Sequence, residues 1–79
     1  MDFTLIEKCE VGDTCYKLLK SNFYRNYYVI IAQDKRNFSC GSIFATRKEA
    51  DELFYEIAGT NTDIYSLMDI LSDFSKQKI

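Results

Sequence analysis

The sequence predicts an α+β fold in which a four-stranded antiparallel sheet, built from two hairpins, is followed by two C-terminal helices packed on one face. Stretches rich in β-branched and aromatic residues, separated by short polar turns, fill the first half of the chain and predict strands. Apolar residues recur at helical spacing in the second half, which predicts amphipathic helices. Strands followed by helices are typical of α+β proteins, and 79 residues predict a single domain, residues 1–79.

The first hairpin is predicted from Gly12-Asp13, which separates two stretches of mixed apolar and polar residues, 3–11 and 14–20. Glycine at the first position of a two-residue loop is typical of a type II′ turn. Side chains alternate between the two faces of a strand, so this turn places Cys9 and Cys15 on opposite faces. We therefore expect no disulfide between them.

The second hairpin is centred on residues 27–32, an uninterrupted apolar run of six residues that predicts a strand buried on both faces. Residues 34–37 form a polar loop and residues 38–45 the returning strand, with Ile31 opposite Cys40. One face of this hairpin carries Tyr27, Val29, Ile31, Phe38, Cys40 and Phe44, and the other carries Tyr28, Ile30, Ala32, Ile43 and Ala45. Both faces are therefore apolar.

Two helices cover only one face of such a sheet, so an apolar strip stays exposed on the other. The pattern leaves open whether the helices cover the Val29 side or the Ile30 side. It also leaves open a closure within the monomer, in which the N-terminal hairpin folds over the exposed face. Soluble monomers rarely expose a large contiguous apolar patch, and two-fold pairing of identical surfaces, back to back or along an edge, is the simplest closure. We therefore expect a homodimer.

The first helix is predicted to begin at Thr46, because Thr46 and Glu49 have the spacing of a capping box. Gly59 is expected to follow its last turn as the C′ residue. Residues 60–62 supply a loop and an N-cap for the second helix, and Lys76 and Lys78 suit its C-terminus. The apolar stripes are Ala50, Leu53, Phe54, Ile57 and Ala58 on the first helix, and Ile64, Leu67, Met68, Leu71 and Phe74 on the second.

The residue types argue against an enzyme, a metal site and a cofactor site. Histidine is absent, and Cys9, Cys15 and Cys40 are an odd number without CxxC spacing. A structural zinc site generally takes four Cys or His ligands, and a nucleophile needs a positioned base. We find no dinucleotide, phosphate-loop or HExxH motif. We therefore expect no catalytic residue, no cofactor, no metal and three reduced, unpaired cysteines.

The charge is unevenly distributed: residues 1–48 carry +3, residues 49–79 carry −5, and the net charge is −2. Stacking platforms for single-stranded nucleic acid interleave cations and aromatic residues, as residues 16–28 do. Nucleic acid is thus an alternative partner, but a nucleic-acid binder normally shows a dominant basic footprint, so we do not favour it. The cations of this alternative are Lys17, Lys20, Arg25, Lys35 and Arg36.

The first helix also has an acidic face, which would suit a basic protein partner. On that interpretation the chain would be a phage-type inhibitor of a host nuclease. A solvated helix face has the same appearance in a sequence, so the pattern does not point to this function by itself. The face consists of Glu49, Asp51, Glu52 and Glu56.

The chain is expected to be cytoplasmic, without a membrane segment. Its first eight residues lack the basic and apolar regions of a signal peptide. Its longest apolar run, six residues, is far too short to span a bilayer.

Three segments carry a resemblance to a known family. A strand with Tyr27-Tyr28-Val29-Ile30 precedes a capped helix over residues 50–57 and a final helix with Leu67-Met68-Asp69-Ile70-Leu71-Ser72-Asp73-Phe74. In this order, over roughly residues 15–75, the chain resembles an uncharacterised family of short proteins from anaerobic Gram-positive bacteria. The resemblance implies a bacterial protein and carries over no activity and no functional residue.

Together these patterns predict a small cytosolic, non-enzymatic protein-binding or regulatory module that acts as a homodimer. The partner is another protein or a second copy of the chain. The candidate interaction surface is Tyr28, Ile30, Ile43, Phe23, Tyr24 and Arg25.

Overall fold

The computed structural model of the chain describes residues 2–60 and 64–77. Its strands form one antiparallel sheet in the order β1-β2-β3-β4, and two helices follow the last strand. The predicted α+β fold is confirmed. The elements are β1 (Phe3–Val11), β2 (Thr14–Ser21), β3 (Tyr27–Gln33), β4 (Phe38–Phe44), α1 (Arg47–Gly59) and α2 (Ile64–Gln77).

Both hairpins have the predicted register. Cys9 lies opposite Tyr16 in the first hairpin, and Ile31 lies opposite Cys40 in the second. Gly12 has a φ of 61°, in the left-handed region that the first position of a type II′ turn requires. Because β2 also pairs with β3, the N-terminal hairpin extends the sheet, and the alternative in which it folds over the exposed face is wrong.

The two helices cover the same face of the sheet. Helix α1 lies over β1 and β2, whereas α2 lies chiefly over β4. The core between sheet and helices contains seven large side chains with under 2% of their surface exposed. They are Tyr16, Leu18, Ile30, Ile43, Phe54, Ile57 and Leu67.

Tyr28, Ile30 and Ile43 belong to this core, with at most 3% of their surface exposed. Their assignment to an exposed interaction surface is therefore wrong. The reason lies in the neighbouring strand β2, whose Leu18 lies opposite Ile30 on the covered face. On the other face Lys17 lies opposite Ile31. A helical layer over the whole of that face would also cover Lys8, which lies opposite Lys17, so two neighbouring ammonium groups would have to leave water together.

Strand β1 contains an irregularity at which the consecutive residues Ile6 and Glu7 both contact the core or the helices. Its register against β2 shifts between Leu5 and Glu7, as in a β-bulge. Ile6 packs against the core, and Glu7 lies beside the hydroxyl of Tyr55 on α1. The Glu7 carboxylate raises the pKa of Tyr55, because ionisation would place a second negative charge beside it.

Helix α1 begins with the predicted capping box. The Glu49 N–H donates to Thr46 Oγ1 at 3.3 Å, and the Thr46 N–H donates to Glu49 Oε1 at 2.9 Å. The C-terminus differs slightly from the prediction: Gly59 is the last helical residue and Thr60 is the C-cap. Residues 61 and 62 of the predicted loop and N-cap of α2 lie outside the described residues, as does Lys78. Lys76 lies in the last turn of α2.

Gly41 in β4 allows α2 to approach the sheet closely. A Cβ atom at this position would collide with Leu71 Cδ1 and lie 3.2 Å from Met68 Sδ. Leu71 is almost fully buried, so its side chain has little room to move away. The glycine therefore sets the distance between β4 and α2.

We expect Thr46→Ala to lower the free energy of unfolding by about 1 kcal/mol, because one N-terminal N–H of α1 loses its acceptor. Urea denaturation should show a lower midpoint at an unchanged slope. Thr46→Ser keeps the acceptor and serves as the control. Equal midpoints for the alanine and serine variants would contradict the capping role.

We expect Gly41→Ala to lower the free energy of unfolding by about 1–3 kcal/mol, the usual cost of an extra methyl group in a packed core. The same urea experiment measures it. Ser42→Ala, at the exposed neighbouring position, is the control for alanine in this strand. A Gly41→Ala variant as stable as the control would show that α2 can shift without cost.

Candidate functional site

The face of the sheet opposite the helices is apolar and uncovered. Within residues 2–60 and 64–77, both helices lie on the other face, and no element packs over this one. The register of the four strands assigns each side chain to a face. We call this surface the open face; its apolar members are Phe3, Leu5, Cys15, Leu19, Tyr27, Val29, Ile31, Phe38, Cys40 and Phe44.

The middle of the open face consists of half-buried aliphatic side chains, and large exposed side chains surround them. Val29 lies opposite Leu19 on one side and Ser42 on the other, at the centre of the sheet. Phe38 is 59% and Phe44 67% exposed. Aromatic side chains of this size on a flat apolar surface are typical of protein–protein contacts.

The charged side chains of the open face lie together on β1 and the adjoining strand β2, on the side of the sheet away from β4. Lys8 lies opposite Lys17, and the Lys8 Nζ atom forms an ion pair with Glu10 Oε1 at 3.6 Å. The rest of the face carries no charge. A second surface can therefore meet most of this face without burying an ionised group.

An aromatic group closes the opposite end of the open face. The rings of Tyr27 and Phe44 lie 4.7 Å apart, and the Tyr24 ring meets Tyr27 edge-on at 6.1 Å. The buried Ser21 hydroxyl holds the loop, since it accepts hydrogen bonds from the N–H groups of Phe23 and Tyr24 at 3.1 and 2.9 Å. Phe23 and Tyr24 are thus fixed in exposed positions, as their place in the candidate surface required.

Next to this aromatic group, the loop between β2 and β3 forms an open depression of about 370 Å³. The side chains of Lys20 and Arg25 line it together with Phe23, Tyr24 and Tyr28. Arg25, the last residue of the candidate surface, therefore lies beside the open face rather than on it.

Of the other candidate cations, Lys17 lies on the open face, whereas Lys35 and Arg36 lie at the other end of the sheet. Lys35 and Arg36 belong to the β3–β4 loop, where the Asp34 carboxylate accepts hydrogen bonds from the N–H groups of Arg36 and Asn37 at 2.8 and 2.7 Å. These hydrogen bonds lower the pKa of Asp34 below the ordinary aspartate value. A seven-residue strand, roughly 23 Å long, separates this end from Lys20. The basic residues therefore form no continuous stripe.

The structure also divides the predicted acidic face. Asp51 accepts a hydrogen bond from Arg47 Nε at 3.1 Å on one flank of α1. Glu49, Glu52 and Glu56 line a shallow crevice between α1 and Phe74 of α2. Since the Glu49 carboxylate accepts the Thr46 N–H of the capping box, Glu52 and Glu56 are the carboxylates of this crevice that face solvent.

The cysteines form no disulfide in the described part of the chain: Cys9, Cys15 and Cys40 are free. Cys9 lies on the helix-covered side, opposite Tyr16, whereas Cys15 and Cys40 lie on the open face. The described residues contain no group of three or more Cys, Asp or Glu side chains placed to hold a metal ion.

No protein-family model, curated protein or solved structure matches the chain. The resemblance to the family from anaerobic Gram-positive bacteria therefore stays a prediction. Among the described helices, neither is long and apolar enough to cross a membrane.

We expect all three cysteines to be reduced and free of one another. Thiol titration of denatured protein that has not been reduced should therefore find three free thiols per chain, the same number as after reduction. A single free thiol per monomer would contradict the assignment, because it would require an internal disulfide.

Proposed function

We propose that this chain is a protein-binding module rather than an enzyme, and that its open face binds a second copy to form a homodimer. The open face carries this proposal, since it is apolar, nearly uncharged and uncovered in the described part of the chain. We further expect the protein to work in the cytoplasm, where thiols such as the free cysteines stay reduced.

The size of the open face suits a weak, specific dimer. Four strands about 4.8 Å apart give a width of roughly 19 Å, and strands of seven residues give a length of roughly 23 Å. The flat footprint is thus on the order of 450 Å² per copy, below the roughly 800 Å² per partner of a standard interface. Projecting side chains such as Tyr24 and Phe44 add to the area. We therefore expect association at micromolar concentration or above.

A second copy fits the chemistry of this surface. Two sheets pack face to face about 10 Å apart, with strands within about 30° of each other, when both inner faces are apolar. In a two-fold contact each copy uses the same patch, so both faces are apolar by necessity. Lys8 and Glu10, on the edge strand β1, would lie at the rim, where charges stay hydrated. Lys17 lies on the inner strand β2, and its long aliphatic chain would let the ammonium group reach water at that rim.

We expect Val29→Glu to weaken self-association at least tenfold, because it places a carboxylate at the centre of the buried contact. Sedimentation equilibrium from micromolar to millimolar concentration measures the mass, and far-UV circular dichroism checks the fold. Ser66→Glu, at an exposed position of α2, adds the same charge away from the sheet and is the control.

Two results would contradict the proposed contact. A wild-type species of 9.2 kDa at every concentration would show a self-contained monomer. An association constant equal for Val29→Glu and Ser66→Glu would show that the open face does not bind the second copy.

Two alternatives have narrower support. Lys20 and Arg25 share the loop depression with aromatic rings, which suits single-stranded nucleic acid, but Lys35 and Arg36 lie at the far end of the sheet. An inhibitor that uses the acidic face would rely on Glu52 and Glu56 alone. The apolar character of the open face favours a protein partner over both.

A further inference from the structure

We infer that β4 is a second contact between copies, at which it pairs antiparallel with β4 of another copy across a two-fold axis at Gly41. This inference goes beyond the proposed function, which requires only the open face. Combined with the face contact, it makes the complete assembly a tetramer.

The two edge strands of the sheet differ in how they are protected. Edge strands that must stay unpaired carry charges or bulges, and β1 has both: a register shift after Leu5 and the charged residues Glu7, Lys8 and Glu10. Strand β4 contains no charged residue and no proline, and its register against β3 is unbroken. Strand β1 thus carries features that prevent pairing with another strand, whereas β4 carries neither charge nor bulge. This difference indicates that β4 is the edge that pairs with another copy.

The backbone of β4 presents free hydrogen-bonding groups at this edge. The Asp34 N–H donates to the Asn37 carbonyl at 2.9 Å, and the Ala45 N–H donates to the Asn26 carbonyl at 2.8 Å. Since hydrogen-bonded pairs alternate along an antiparallel ladder, odd-numbered residues between them bond to β3. The N–H and C=O groups that point outward, away from β3, are those of Phe38, Cys40, Ser42 and Phe44.

Exposed apolar side chains lie on both sides of the β4 edge. On the open face these are Phe38 and Phe44. On the helical side they are Tyr65 and Met68, which are 74% and 52% exposed. The Tyr65 hydroxyl donates to Asn37 Oδ1 at 3.1 Å, and Met68 lies over Gly41, so both flank the strand. Four of the eight large exposed apolar residues of the described chain thus surround one edge.

A two-fold axis at Gly41 places both the outward backbone groups of β4 and the exposed apolar side chains beside it in the contact. Phe38 then lies opposite Phe44 of the second copy, and Cys40 opposite Ser42 of the second copy, so every outward backbone group meets another. Each Phe38–Phe44 pair lies on the open face, where directly opposite aromatic residues stabilise strand pairing. On the other side, Met68 of each copy lies beside the axis, because it lies over Gly41.

The symmetry of the two contacts fixes the form of the assembly. The edge axis runs perpendicular to the sheet, so two copies form a continuous eight-stranded sheet with all four helices on one side. The axis of the face contact lies parallel to the sheet. When this axis runs across the strands at the level of Gly41, it intersects the edge axis. The two perpendicular axes then generate a closed tetramer with D2 symmetry, in which two eight-stranded sheets pack between outer helical layers.

The masses of single and double variants in solution distinguish the face contact from the edge contact. At high concentration we expect wild type to sediment at four times the 9.2 kDa chain mass. Val29→Glu, which removes the face contact, and Met68→Glu, which charges the edge, should each sediment at twice that mass, and the double variant at the chain mass. Ser66→Glu is again the charge control and should match wild type.

Ser42→Pro tests the backbone hydrogen bonds of the edge contact, because it removes the Ser42 N–H, which points away from β3. Proline is tolerated at such a position in an edge strand. A folded Ser42→Pro variant should behave as Met68→Glu does. If both edge variants match wild type while Val29→Glu dissociates it, the edge inference is overturned and the proposed function stands. If only the edge variants dissociate it, the edge contact stands and the face contact is wrong. A monomeric wild type at every concentration overturns both.

Discussion

The choice of the face that the helices cover depends on keeping the neighbouring ammonium groups of Lys8 and Lys17 in water. Both faces of β3 are apolar, so this strand alone does not determine which face the helices cover. Strand β2 determines it, since Lys17 lies opposite Ile31 on one face and Leu18 lies opposite Ile30 on the other. Placing the helices on the Leu18 side buries apolar side chains without desolvating an ammonium group. The open face and everything proposed for it follow from this choice.

Much of the fold was predictable because short loops fix strand register. The Gly12-Asp13 turn and the four-residue loop before Phe38 determined which residues lie opposite one another, and the Thr46–Glu49 capping box determined where α1 begins. The second hairpin alone does not show which face is covered, because both of its faces are apolar. The relevant pattern was the placement of Leu18 and Lys17 on opposite faces at the middle of β2, which requires knowing that β2 pairs with β3.

Small residues complete the contact between sheet and helices. Ala50 and Ala58 are buried on α1, and Gly41 in β4 faces Leu71 and Met68 of α2. None of these residues contributes much apolar surface, yet they allow the larger side chains of both layers to interlock. The sequence showed Ala50 and Ala58 as part of a helical stripe, but it did not show that Gly41 lies under α2, because that contact depends on where α2 crosses the sheet.

The order of the elements, with four strands before two helices, has a consequence for biosynthesis. A ribosome releases the four strands before α1 and α2, so the nascent sheet exists for a time with neither face covered. Every strand pairs with its neighbour in sequence, and such local pairing forms early. The young chain would then expose two apolar surfaces at once, a state prone to aggregation. Docking of α1 over β1 and β2, and then of α2 over β4, covers one of the two surfaces and ends the period in which both are exposed.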